Sequence, residues 1–152
     1  MDVYNIFKKY KIRTKEKQIF DPIRNKFVAM TPEEQVRQRT IQFLIHHVSI
    51  PIEKLKVEVS LNSLGSIGNR KRIDIGVFDE NDHLCGIVEC KANYIGKGEA
   101  PYMQAIDYAD TLAIRFYFVS DGRDFIGYYY SAENDQYIQL DTLPTYDELL
   151  HL

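Results

Sequence analysis

The sequence has little cysteine, and it has no apolar run long enough to cross a membrane as a helix. Cys85 and Cys90 are the only two cysteines in 152 residues. They lie within one short segment, with no His or Cys partner at zinc-finger spacing, which argues against a disulfide framework and a structural zinc site and leaves buried thiols. No stretch approaches the roughly 18 apolar residues of a membrane span, and the opening MDVYNIFKKYKIR lacks the apolar core and cleavage site of a signal peptide. The chain is therefore expected in the cytoplasm, with no membrane partner. Internal repeats and low-complexity tracts are missing too.

What is present is an ordinary globular mixture, 45% hydrophobic and 27% charged, which sets disorder aside. The length suits one domain with a single core. The net charge of -3 is unevenly spread. Residues 1–39 carry ten Lys and Arg against five Asp and Glu, whereas residues 79–152 carry four against fourteen. A basic N-terminal third suits a phosphate backbone, and the acidic remainder either faces solvent or helps to hold a cation. A chance imbalance between solvated faces gives the same numbers.

Residues 1–30 read as a basic N-terminal extension with scattered aromatics, packed on a single domain formed by residues 31–152. At Thr31-Pro32-Glu33-Glu34 a capping hydroxyl, a proline at the first helical position and a glutamate three residues after the cap predict a helix start. That helix should run to about His47, burying Val36, Ile41, Phe43, Leu44, Ile45 and Val48. Strands are expected at Leu55–Leu61, Arg72–Phe78 and Leu84–Lys91, joined by Asn-, Asp-, Gly- and Ser-rich turns that suit antiparallel pairing. A second helix is expected over Ala100–Ala113, further strands at Arg115–Ser120 and Phe125–Tyr130, and a short closing helix within Leu143–Leu152. The order predicts a three-strand meander, a crossover helix and further strands, forming a mixed α/β sheet flanked by helices.

The informative anomaly is charge inside apolar strands. Glu89 and Lys91 sit in GIVECKA and Asp74 in RIDIGVF, where unpaired charges are costly unless they meet a partner or a metal. Alternation along a strand puts Glu89 and Lys91 on one face and Val88 and Cys90 on the other. Asp74, central in the preceding strand, can lie across from them. Two carboxylates repel a phosphate, so beside one they are useful only as ligands of a hard divalent cation such as Mg2+ or Mn2+. From the residues alone, Glu89 and Lys91 also read as an ordinary ion pair at a sheet edge, and Asp74 as a partner of Arg72 or Lys71.

Asp74, fourteen intervening residues and then Glu89-Cys90-Lys91 resemble the PD-(D/E)XK nuclease motif, without its proline. PEEQVRQR (32–39), KRIDIGVFD (71–79), VECKA (88–92) and Gln104 with Tyr108 together resemble the N-terminal nuclease domain of the type I restriction enzyme R subunit, over roughly Ile19 to Tyr130. The resemblance implies a restriction-endonuclease-like fold and Mg2+-dependent (or Mn2+-dependent) hydrolysis of DNA phosphodiesters. It further implies Asp74, Glu89 and the Cys90 carbonyl as metal ligands, and Lys91 as the catalytic lysine.

Glu34 matches an acid that often joins such a site, although it is equally the capping partner of Thr31, and Glu33 is an outlying candidate for the same place. Gln104 and Tyr108, four apart, share a helical face where they could reach the site, with a core aromatic as the other reading of Tyr108. Arg70, Lys71 and Arg72 are candidate DNA-phosphate contacts or a solvated charge run. The R subunit's motor would need a Gly-rich loop ending in Gly-Lys-Ser/Thr, and Gly96-Lys97-Gly98 does not supply it. The chain is thus expected to work without its own ATP motor, with DNA, a separate motor or restriction-system subunit, or a second copy of itself as partners. A non-catalytic DNA-binding or docking module with the same fold is the alternative.

Overall fold

The computed structural model describes residues 3–65, 71–92 and 112–152. A short helix α1 (Tyr4–Phe7) leads into strands β1 (Thr14–Lys15), β2 (Gln18–Asp21) and β3 (Lys26–Ala29), which form a three-stranded antiparallel sheet. Helix α2 (Pro32–His46) follows, then β4 (Leu55–Ser60), β5 (Arg72–Phe78), β6 (Leu84–Cys90), β7 (Phe116–Ser120), β8 (Phe125–Ser131) and β9 (Gln136–Gln139). Helix α3 (Tyr146–Leu150) is the last element.

The six strands β4 to β9 form one sheet in chain order. Every neighbouring pair in it is antiparallel except β6 with β7, which run parallel from Gly86 beside Phe116 to Cys90 beside Ser120. A parallel neighbour requires a crossover rather than a hairpin, as the sequence predicts. The expected crossover helix, with Gln104 and Tyr108, lies almost wholly outside the described residues. The sheet matches the expected restriction-endonuclease-like α/β class. The N-terminal sheet and β9 are additions, because their short strands, QIFD, KFVA and QYIQ, carry no sustained alternation.

Helix α2 starts where the capping signals place it: the Thr31 hydroxyl accepts the Glu34 backbone N–H at 3.1 Å. Its apolar residues Ile41, Phe43 and Leu44 are fully buried in the main core, with Phe7 of α1, Ile75 and Val77 of β5, Val88 of β6 and Phe116 and Phe118 of β7. Each such side chain contributes roughly 1.5–3 kcal/mol of burial free energy. A second cluster holds Ile73, Ile87, Tyr117 and Val119. Strand β6 has apolar neighbours on both sides, which is why its sequence reads as a nearly continuous apolar run. Gly86 is required there, since a Cβ at that position would overlap the Phe116 ring of the adjoining strand.

Candidate functional site

The site forms where strands β4, β5 and β6 depart from regular pairing. The β5–β6 ladder begins at Ile75 opposite Val88. One step beyond, the Asp74 carboxylate takes over the role of the backbone, with Oδ2 accepting the Cys90 N–H at 2.8 Å. On its other side, Asp74 falls between the pairs Val57–Ile75 and Val59–Ile73, a place that β4 fills with Glu58. Glu58 adopts φ +51, a left-handed conformation uncommon for a residue with a side chain. Around this step both strands change allegiance: Val57 and Ile75 pack with the main core, Val59 and Ile73 with the second cluster. Strict alternation would have kept Val57 with Val59, and Ile73 with Ile75, on one face.

Glu89 is 1% exposed. Burial first, and then the charge of Asp74 and a hydrogen bond to it, push the Glu89 carboxyl up to about 9, while Lys91 pulls the other way. Without a cation the protonated carboxyl is thus favoured, and its Oε1 is buried without a hydrogen-bond partner among the described residues. A buried acid beside a second acid, with one oxygen unsatisfied, suits a cation that replaces the proton. The residues present thus fit a divalent metal through Asp74 and Glu89. Among the described residues no three His, Cys, Asp or Glu side chains form a metal-holding group. The side chains brought together are this pair, and any further ligands would be backbone oxygens or water.

Cys90 points away from Glu89, as alternation requires, into the main core. Its thiol is pushed well above the ordinary value, chiefly by burial, which disfavours a thiolate and leaves the backbone carbonyl as the group Cys90 could offer a metal. Thr40 of α2 fastens this end of the sheet, its hydroxyl 2.8 Å from that of Ser120. The Lys91 N–H in turn donates to the Ser120 carbonyl at 2.8 Å. These two bonds fix the backbone from which Lys91 projects.

Glu34 performs only half of the predicted capping box. Its N–H binds Thr31, but the Thr31 N–H goes to the Ala29 carbonyl at 2.9 Å, which frees the Glu34 carboxylate for other partners. It accepts Gln38 Nε2 at 3.3 Å, and forms ion pairs with Arg37 Nη1 at 2.9 Å and with Arg24 Nη2. Arg37 Nη2 continues to Asp74 Oδ1 at 3.2 Å, so one guanidinium joins α2 to the strand acid. Burial works against the charge of Arg37, but the carboxylates around it, led by Glu34 and Asp74, raise it above the ordinary value. Glu33 is exposed at the helix start.

Arg24, Arg37, Gln38 and Glu58 were not singled out from the sequence. A signal for two of them exists: Glu34, Arg37, Gln38 and Ile41 recur at i, i+3, i+4 and i+7, placing three polar residues on a buried helix face. Of the predicted phosphate contacts, Lys71 and Arg72 lie exposed beside the site, and Arg70 falls outside the described residues.

No helix among the described residues is long and apolar enough to cross a membrane. No curated protein matches the chain. A family model described as the type I restriction enzyme R protein N terminus matches residues 32–144, a span that holds Glu34, Arg37, Asp74, Glu89 and Lys91 and leaves Arg24 before it. The chain belongs to this family of type I restriction enzyme R protein N termini, and its role is restriction-nuclease-related.

Proposed function

We propose that the chain is a metal-dependent nuclease acting on DNA phosphodiester bonds, with Asp74 and Glu89 holding Mg2+ or Mn2+ and Lys91 beside the reacting phosphate. The observation that supports it is the buried Glu89 beside the half-buried Asp74, with Glu89 Oε1 left unsatisfied among the described residues. A divalent cation there supplies charge stabilisation to the phosphoryl oxygens and a lowered pKa to a bound water. Asp74 orients its carboxylate by accepting the Cys90 N–H. Glu89 gives up its proton when the cation binds. Lys91 adds positive charge next to the attacking water and orients it. Gln104 and Tyr108 belong to the same proposal as residues reaching the site from the crossover segment, and Arg70, Lys71 and Arg72 as contacts to the DNA backbone.

The test is incubation of DNA with the protein and Mg2+ or Mn2+. Cleavage that disappears in Lys91→Ala and Glu89→Ala supports the assignment, whereas cleavage surviving both belongs to a contaminant. One observation favours the second reading, a non-catalytic module: Arg37 already places a cation on Asp74. Tight DNA binding in EDTA, with no cutting of single-stranded, duplex or branched DNA by any divalent ion, would establish it. DNA and restriction-system subunits are the partners to which either reading points.

A further inference from the structure

Three guanidinium groups from three elements converge on one carboxylate next to the Asp74–Glu89 pair. Arg24 from the β2–β3 turn, Arg37 from α2 and Arg72 from β5 approach Glu58 at 3.6, 3.4 and 4.0 Å. The first two arginines hold other acids far more closely. Arg24 Nε lies 2.6 Å from Asp21 Oδ2, and Arg37 Nη1 lies 2.9 Å from Glu34 Oε2. Asp21 is fully buried and also accepts the N–H groups of Ile23 and Arg24 at 2.7 and 3.0 Å, so it fixes Arg24 in direction. Asp21 and Glu34 are therefore structural partners, while Glu58 sits at distances beyond those of a well-formed charge-assisted hydrogen bond.

Glu58 is 43% exposed at its side chain and holds its position with a left-handed backbone, so neither burial nor backbone preference explains its place among the arginines. Arg37 also has a buried Nε with no hydrogen-bond partner among the described residues.

We propose that Arg24, Arg37 and Arg72 form a cradle for a backbone phosphate of DNA, and that Glu58 fills it as an internal stand-in that the phosphate displaces. Guanidinium groups bind carboxylate and phosphate through the same fork of donors, so a loosely held carboxylate is the natural occupant of a phosphate site. Arg37 spans the cradle and Asp74, which places the bound phosphate beside the metal-binding pair. Arg24 makes the N-terminal hairpin part of the site although it precedes the family match. The choice of DNA rests on the proposed function above.

Binding of a fluorescently labelled DNA duplex to the full chain, read by anisotropy in EDTA and in Ca2+ over a series of salt concentrations, decides the matter without requiring cleavage. Glu58→Gln should tighten binding, by up to roughly fivefold if the ion pairs it loses are worth what exposed pairs usually are. Arg72→Ala, at a side chain 62% exposed and hence safe for folding, should weaken binding and lower the slope of log K against log salt by about 0.9. Unchanged or weaker binding by Glu58→Gln overturns the proposal, as does an unchanged slope in Arg72→Ala or a lack of binding by every form. Tighter binding by Glu58→Gln without any Mg2+-dependent cutting would keep the cradle and remove the nuclease assignment.

Discussion

The Asp74 carboxylate accepts the backbone N–H of Cys90 at 2.8 Å, which makes a candidate metal ligand also a structural element of the sheet. The two roles separate by substitution. Asp74→Asn keeps an acceptor for the Cys90 N–H, so it should fold with nearly the wild-type melting temperature while losing stabilisation by Mn2+. Asp74→Ala orphans a buried donor and should cost about 1–3 kcal/mol in addition. Urea unfolding of both variants in EDTA measures the difference, and equal stabilities would mean that the bond to Cys90 is worth nothing.

Glu89 predicts a pH dependence with a definite sign. The folded chain holds this carboxyl at about 9, against an ordinary value of 4.5. A proton that the unfolded chain releases is thus retained on folding, so the contribution is fully present below the ordinary value and is lost as pH rises toward about 9. In EDTA the melting temperature should fall across that window relative to Glu89→Gln, which carries no such group. A divalent cation must displace the proton, so its affinity should rise over the same window with proton release. A metal affinity flat with pH there would remove Glu89 from the ligand set.

Arg37→Met keeps most of the side-chain bulk but withdraws the guanidinium from between Glu34 and Asp74. Leaving the buried Glu34 carboxylate short of this partner costs up to about 3–5 kcal/mol in comparable cases, and less at Asp74, whose side chain is 24% exposed. The loss should be largest in EDTA and smaller with Mn2+, because the cation replaces one of the neutralising charges at Asp74. Equal losses in both conditions would uncouple Arg37 from the metal pair.

Gly86→Ala tests the frame that carries Glu89 and Lys91. The added methyl meets the Phe116 ring, and overpacking of this kind costs roughly 1–3 kcal/mol. The variant should melt earlier than the wild type, and an unchanged melting temperature would show that β6 and β7 shift to accommodate it.

Much of this was legible in the sequence because it rested on local rules. Thr31-Pro32 set the start of α2, and the apolar runs around Asp74 and Glu89 set β5 and β6 to within a residue of their observed ends. The alternation that puts Glu89 opposite in direction to Val88 and Cys90 was legible for the same reason. What escaped depends on contacts distant in sequence. Arg24 reaches Glu34 and Glu58 only because a hairpin folds back over α2, and no spacing rule relates those positions. The turn of β4 at Glu58 was invisible because VEVS reads as regular alternation, with no Gly or Asn to mark the left-handed φ. Glu34 shows the limit of a motif: the capping box was present in the letters, but its carboxylate went to arginines.

The most direct measurement of the central claim is anomalous diffraction from crystals of the protein soaked in Mn2+. A peak between the Asp74 and Glu89 carboxylates, within about 2.0–2.3 Å of an oxygen of each, is the predicted result. Saturating Mn2+ with no peak at this pair, or with the ion held by other residues alone, would contradict it.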